Sequence, residues 1–135
     1  MVINAILYER VPFDPYKNFD PVTVAVTSPD ILSVNPSLPV QSVKDLVALI
    51  KAHFGKYNFS SPGTGTPGHL VGELFRLSLG LDLVHIPFNS AGLAIGSTVA
   101  DHTPIAFTTP PAVVPQVKEG KLRPLAVASK TRAFC

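Results

Sequence analysis

The sequence predicts an α/β domain with a mainly parallel β-sheet and helices on both faces. Short apolar runs typical of buried strands alternate with segments whose apolar residues recur at helical spacing. The order along the chain is two strands followed by four helix–strand units, which is typical of a sheet covered on both sides. Fourteen prolines and nine glycines separate these units, and 135 residues suit one domain with a sizeable core.

The first elements follow from residue type and from end signals. Residues 22–27 and 31–34 are expected to be strands, because both runs are rich in β-branched and apolar side chains. Ser42 should cap the first helix, since Asp45 three residues later completes a pattern that resembles a capping box. Gly55 stands where a left-handed residue commonly ends a helix.

Three further helices and four further strands complete the prediction. The strands are expected at residues 57–60, 83–86, 105–107 and 122–128, with helices at 67–79, 91–100 and 111–119. Pro67 and Pro111 suit the first turn of a helix, where the amide hydrogen that proline lacks has no partner. Gly92 and Gly96 weaken the third helix, because each costs about 1 kcal/mol relative to alanine.

Composition excludes several classes of function. Hydrophobic residues make up 46% of the chain and charged residues only 15%, whereas about a quarter of residues are charged in a typical soluble domain. We therefore expect some apolar surface to face a partner. A net charge of +2 is too small for a nucleic-acid interface, and no apolar run reaches the roughly 18 residues of a membrane span. The single cysteine, Cys135, allows no internal disulfide and no thiolate zinc site, and no cofactor is predicted.

The most specific local motif is the glycine-rich segment that precedes the second helix. Gly63, Gly65 and Gly68 match the G-x-G-x-x-G pattern of dinucleotide sites. A dinucleotide site also requires a carboxylate near the end of the next strand, where this chain has Asn89. Amides and hydroxyls at a helix N-terminus would hold a carboxylate ligand instead. The alternative is that the same residues only cap the helix and form the turn.

Two further loops should lie beside this segment, because the carboxyl ends of parallel strands share one edge of the sheet. Both loops carry small polar side chains immediately before a helix. The predicted ligand-binding residues are Ser60, Ser61, Gly63, Thr64, Gly65, Thr66, His69, Asn89, Ser90, Thr108 and Thr109. No catalytic residue and no metal ligand is predicted.

The histidines and serines do not indicate an enzyme. His69 lies early in the second helix, where it can bond a ligand or cap the turn, and we favour a structural role. His85 lies within an apolar strand and is expected to be a satisfied core or edge histidine. Neither has a second histidine or carboxylate at metal-ligand spacing. Ser60 and Ser61 belong to no G-x-S-x-G elbow, and no acid is placed for a triad, so we predict a binding module.

A series of short motifs runs through nearly the whole chain in a characteristic order and spacing. They are Pro12-Phe-Asp-Pro15, Phe19-Asp-Pro-Val22, Leu32-Ser-Val-Asn-Pro36, Ser42-Val-Lys-Asp-Leu46, Tyr57-Asn-Phe-Ser-Ser61, Gly65-Thr66, His69-Leu70, Glu73-Leu-Phe75, Val84-His-Ile-Pro-Phe88, Gly120-Lys-Leu-Arg123 and Leu125-Ala-Val127. Through them the chain resembles the Bug family, the solute receptors of tripartite tricarboxylate transporters. The resemblance implies one lobe of a type II periplasmic-binding-protein fold, which closes with its partner lobe on a small carboxylate and delivers it to a membrane permease.

This chain resembles the second lobe only. Residues 1–19 would be a remnant of the first lobe or a linker, residues 20–129 the ligand-binding lobe, and residues 130–135 a C-terminal stub. The binding residues of the family correspond here to Ser60 or Ser61, Gly65 and Thr66. The chain departs from the family pattern by Phe88-Asn89-Ser90, where Tyr-Lys-Gly is frequent, and by Ser97 or Thr98, where an aspartate is frequent.

Two interpretations of the function remain open, a carboxylate-binding lobe of a transport receptor and an orphan lobe that acts as a dimerisation or interaction module. The resemblance implies a periplasmic location, whereas residues 1–10 lack the basic start and cleavage site of a signal peptide, so the chain as given would be cytoplasmic. We also predict a homodimer, because the short apolar stripe within residues 2–11 is marginal alone and must pack on something. The alternative is that residues 1–11 fold back over their own domain.

Overall fold

A computed structural model describes residues 6–24 and 27–130. The elements that fall wholly within these residues are β1 (Ile31–Val34), α1 (Val43–Ala52), β2 (Tyr57–Ser61), α2 (Pro67–Ser78), β3 (Leu83–Pro87), α3 (Ala91–Val99), β4 (Ile105–Thr108), α4 (Pro110–Lys118) and β5 (Arg123–Val127). Val2 and Ile3 of the predicted apolar stripe, and residues 131–135 with Cys135, lie outside the described residues.

The five strands form one mixed sheet in the order β3-β2-β4-β1-β5. β2 pairs in parallel with β3 and β4, whereas β1 runs antiparallel to both β4 and β5. Four of these five strands therefore point the same way, and their carboxyl ends lie at one edge of the sheet. The predicted mainly parallel α/β fold is confirmed.

The strand predicted at residues 22–27 is wrong for the part that the structure describes. Residues 22–24 and Thr27 lie in no strand, and residues 25–26 are outside the described residues. The side chains of Val22 and Val24 are 94% and 81% exposed. β-Branched side chains favour a strand through packing against neighbours on a sheet, and here they have no such neighbour.

Helix α1 begins at the predicted Ser42 cap and ends at Ala52, three residues before Gly55. The hydroxyl of Ser42 accepts a hydrogen bond from the Asp45 amide at 3.2 Å, and the Asp45 carboxylate accepts one from the Gln41 amide at 3.1 Å. The bond from Gln41 and then the Ser42 side chain lower the pKa of Asp45. The C-cap is His53, with a φ of −133°, and Gly55, two residues further on, has the left-handed conformation predicted for it, with a φ of +73°.

Helices α1 and α2 cover one face of the sheet and α3 and α4 the other, with a separate apolar cluster under each pair. On one face, α1 contributes Leu46 and Ile50, which pack with Phe59 and Phe107 of the sheet. On the other face, α3 and α4 contribute Ile95 and Val113, together with Ile31, Ala106 and Leu122. Neighbouring residues of one strand alternate between the two clusters because side chains of a strand point to opposite faces. Both faces of the sheet are therefore covered, and the loops lie at its edges.

Candidate functional site

Three loops at the carboxyl edge of the sheet form the candidate site. They follow β2 (residues 62–66), β3 (residues 88–90) and β4 (Thr109), and we call them together the edge loops. β2 pairs with both β3 and β4, so these strand ends are neighbours. The Phe88 amide donates to the Ser61 carbonyl at 3.0 Å and joins the first two loops. The predicted juxtaposition of the loops is therefore present.

Ser60 does not face these loops. Its side chain is fully buried, and its hydroxyl lies 3.0 Å from the Thr98 hydroxyl and 3.3 Å from the Ala94 carbonyl of α3. Sequence reasoning did not assign Thr98 to this network. Because Ser60 and Ser61 are consecutive in β2, they point to opposite faces of the sheet. Ser60 joins β2 to α3, and Ser61 is the residue of this pair at the glycine loop.

The glycine loop between β2 and α2 is largely hydrogen-bonded to itself. Thr66 caps α2, since its hydroxyl accepts from the His69 amide at 3.4 Å and donates to the Gly63 carbonyl at 2.7 Å. The Gly63 amide donates to the Ser61 hydroxyl at 3.3 Å, and the Gly65 amide donates to Nδ1 of His69 at 3.1 Å. Gly65 has a φ of +81°, which a residue with a side chain rarely adopts. Capping, the alternative left open by the sequence, therefore accounts for much of this motif.

The helix N-termini nevertheless keep unpaired amide donors. Within residues 6–24 and 27–130, the amides of Thr64 and Gly68 have no partner at the start of α2. At the start of α3, Ser90 caps through its hydroxyl, which accepts from the Leu93 amide at 3.2 Å, and leaves the amides of Ala91 and Gly92 without a partner there. Sequence reasoning missed these two α3 amides, although the N-cap serine was a signal for them.

The loop after β4 offers hydroxyls rather than amides. Pro110 and Pro111 occupy the first two positions of α4 and have no N–H group. Thr109, the N-cap of α4, makes no side-chain capping bond, so its hydroxyl remains a donor. Thr108 is fully buried, and its hydroxyl has no hydrogen-bond partner among the described residues. Asn89, in the neighbouring loop, is exposed and adds an amide side chain.

A stack of aromatic rings supports the glycine loop from the α2 side of the sheet. The His69 and His85 rings are stacked at 4.2 Å between centroids, and the Phe59 ring lies 4.9 Å from that of His85. Nε2 of His85 lies 2.7 Å from the Ser61 hydroxyl, so the edge-strand histidine is satisfied, as predicted. Burial, and then the nearby His69, lower the pKa of His85, while Glu73 acts in the opposite direction.

The electrostatic character of the edge loops favours an anion. None of the eleven predicted ligand-binding residues is acidic, and two helix N-termini contribute partial positive charge. No group of three metal-ligating side chains occurs in the described part of the chain. Among residues 6–24 and 27–130, no helix combines the length and apolarity that crossing a membrane requires.

A separate cavity of about 160 Å³ opens between the sheet and helices α1 and α2. Its lining is apolar apart from Asp30 and consists of Leu32, Val43, Val71, Phe75, Phe107, Ala126, Val127 and Ala128. Asp30 is 5% exposed, and burial raises the pKa of its carboxyl group. A buried carboxylate beside apolar carbon is unfavourable for binding a second carboxylate, so this cavity is not the candidate site.

A family model described as "Tripartite tricarboxylate transporter family receptor" matches residues 2–134 of the chain. Protein BugT of Bordetella pertussis is 29% identical over 133 residues, which cover 98% of this chain and 41% of that protein. The chain therefore spans about two fifths of the length of this relative.

Solved structures agree with this match. A periplasmic transporter is 36% identical with a TM-score of 0.89, and covers 97% of this chain and 44% of its own. R. palustris Rpa4515, solved with adipate, is 30% identical with a TM-score of 0.86, and the match covers 93% of this chain and 42% of Rpa4515. The matched family is one of transport receptors rather than enzymes, as predicted from the sequence, and the two structures confirm the fold.

Proposed function

This chain belongs to the tripartite tricarboxylate transporter receptor family, and from that premise we propose that it is the carboxylate-binding second lobe of a periplasmic transport receptor. The observation that carries the proposal is the pair of adjacent helix N-termini, α2 and α3, with four amides unpaired among the described residues. Rpa4515, which is 30% identical and was solved with adipate, supports a small dicarboxylate as the ligand.

The proposed mode of binding follows from these donors. One carboxylate would accept hydrogen bonds from the amides of Thr64 and Gly68 or from those of Ala91 and Gly92, with Asn89 and Thr109 at the rim. Each helix N-terminus contributes about 0.3–1 kcal/mol, and each hydrogen bond to a charged group about 1.5–3 kcal/mol before the cost of association. Since about 4 kcal/mol corresponds to 1 mM, we expect millimolar or weaker binding by this chain alone.

Isotope-edited NMR with adipate, succinate, malate, glutamate and citrate tests the proposal. Adipate should shift the amide resonances of the four donors with a common millimolar constant. Thr66→Ala should abolish the shifts at α2, because it removes both the cap and the bond to Gly63. Ser42→Ala is the matched control: it removes the cap of α1, which contributes nothing to the edge loops, and should leave adipate binding unchanged.

Two outcomes would contradict the proposal. The first is the absence of shifts at the edge loops at tens of millimolar adipate. The second is a submicromolar constant for this chain, because such affinity would require a complete site rather than one lobe.

The proposed partner of the whole receptor is a membrane permease, and the proposed location is the periplasm, both in keeping with the family. A full-length receptor that carries residues 20–129 as its second lobe should restore uptake of labelled adipate to a strain without its own receptor. A variant of that receptor with Gly65→Val should not restore uptake. Equal uptake with both receptors would contradict a role of the glycine loop.

A second proposed function is self-association, and a specific observation favours it. Within residues 6–11 the side chains of Ile6, Leu7 and Tyr8 are all exposed. Exposed apolar side chains in one segment commonly mark a contact surface. Light scattering under reducing conditions should give a dimer that dissociates when residues 1–11 are deleted. A monomer of 14.4 kDa at high concentration would contradict this second function.

A further inference from the structure

We propose that His69 is a positioning residue that makes carboxylate binding at the glycine loop depend on protonation of its ring. The inference rests on the proposed function of the edge loops. In the neutral state, His69 withholds the Gly65 amide from a ligand. When the ring takes a second proton, that amide is released beside a positive charge.

The hydrogen bond between Gly65 and His69 determines the tautomer of the ring. The Gly65 amide can only donate, so Nδ1 of His69, 3.1 Å away, must accept and carries no proton. The single proton of the neutral ring therefore resides on Nε2. A second proton must go to Nδ1, where it would face the Gly65 N–H group. Protonation and this hydrogen bond therefore exclude each other.

Strand β3 and helix α2 place titratable groups near the His69 ring. From β3, the His85 ring stacks on it at 4.2 Å and is itself bonded to the Ser61 hydroxyl of β2. From α2, Glu73 lies one turn further along the helix, and its carboxylate is paired with Arg76 at 2.6 Å. Burial and the adjacent His69 ring hold the pKa of His85 below its ordinary value.

The released amide lies within the proposed binding loop. Gly65 follows Thr64, whose amide is already unpaired among the described residues, so release adds a donor next to an existing one. A carboxylate at this position would also be attracted by the imidazolium ring. Because linkage is reciprocal, a bound carboxylate should promote proton uptake by His69 to the same extent.

NMR on the full 135-residue chain tests the inference in two steps. Without ligand, between pH 8 and pH 5.5, the Gly65 amide resonance should titrate with the same midpoint as the His69 ring nitrogens. With fumarate as the probe, a dicarboxylate that remains doubly ionised throughout this range, the dissociation constant should fall about tenfold from pH 8 to pH 5.5.

Three variants separate the role of His69 from other effects. His69→Leu should abolish the titration of the Gly65 amide and make fumarate binding independent of pH. His85→Phe keeps an aromatic ring against Phe59 and should retain the dependence. His102→Asn removes an exposed histidine away from the loop and should behave as the unchanged chain does.

The possible outcomes distinguish this inference from the proposed function. Separate midpoints for Gly65 and His69, or a pH dependence that survives in His69→Leu, would overturn the inference, as would fumarate binding of equal strength at both pH values. Failure of fumarate to bind at any pH, with Gly65 and His69 still titrating together, would instead contradict the proposed function and leave only the proton-sensitive hydrogen bond.

Discussion

Replacing Gly68 with alanine has two opposing effects on stability, a steric clash with the sheet and a gain in helix propensity within α2. An ideal Cβ at position 68 would lie closer than 3.0 Å to the Phe107 carbonyl oxygen and 3.2 Å from Cδ of Pro62. Ordinary contact begins at 3.4 Å. The oxygen belongs to the backbone of β4 and cannot move independently of the strand. Helix α2 would therefore have to move away from the sheet by at least about 0.4 Å to reach ordinary contact.

The steric effect should outweigh helix propensity. Overpacking of a well-packed interior costs about 1–3 kcal/mol. Alanine is better than glycine in a helix interior by about 1 kcal/mol, and by less at the second position of a helix. We therefore expect Gly68→Ala to lower the free energy of unfolding by about 1–2 kcal/mol. The chain should still fold, since domains of this size are stable by about 5–15 kcal/mol.

Urea denaturation followed by far-ultraviolet circular dichroism measures this difference. The matched control is Gly96→Ala in α3, where an added Cβ meets no atom within 4 Å. That variant should gain about 0.5–1 kcal/mol from helix propensity alone. A change of stability in the same direction in both variants, or a Gly68→Ala chain as stable as the original, would contradict a steric clash at position 68.

Three further predictions concern buried or half-buried polar groups. Asp30→Asn should raise stability at pH 7, because burial raises the pKa of Asp30 and its charged form therefore destabilises the fold. The gain in stability should shrink as the pH falls toward 3.8, the ordinary pKa of an aspartate. Urea denaturation at pH 7 and pH 4.5 checks this, with exposed Asp20→Asn as the control. The lowered pKa of His85 means that the unfolded chain takes up this proton first, so stability should decline as the pH falls below 6.5. His85→Phe should reduce that slope, and an unchanged slope would contradict the assignment. Thr98→Val removes a buried hydroxyl that bonds Ser60 and the Ala94 carbonyl. It should lower the free energy of unfolding by about 1 kcal/mol, measured by thermal denaturation.

Local signals predicted the helices well because the deciding interactions are short-range. Ser42 caps α1 through a residue three positions away, and Pro67 stands at the first position of α2, where its missing amide hydrogen costs nothing. The run at residues 22–27 shows the limit of this approach. Its composition suits a strand, but pairing requires a free strand edge elsewhere in the chain, which local composition does not specify.

The candidate site was predicted at the level of loops rather than atoms. Alternation along β2 implies that Ser60 and Ser61 face opposite sides, but which of them lies under α2 depends on the long-range pairing of β2 with β3 and β4. The hydrogen bond between Gly65 and His69 could not be predicted either, because a glycine-rich motif does not show whether its amides are already hydrogen-bonded within the protein.

The antiparallel direction of β1 has a mechanical consequence. It brings the segment before β1 and the segment after β5 to the same edge of the sheet, where the Ala128 amide donates to the Asp30 carbonyl at 2.8 Å. In the two-lobe receptor proposed above, these two segments would connect this lobe to its partner lobe, and a lobe held by two adjacent connections rotates most easily about an axis through them. β3 lies three strands from β1, or about 14 Å, so a rotation of about 20° would carry the loop at residues 88–90 through about 5 Å. The strand order thus gives the loops after β2 and β3 the longest lever arm of the sheet.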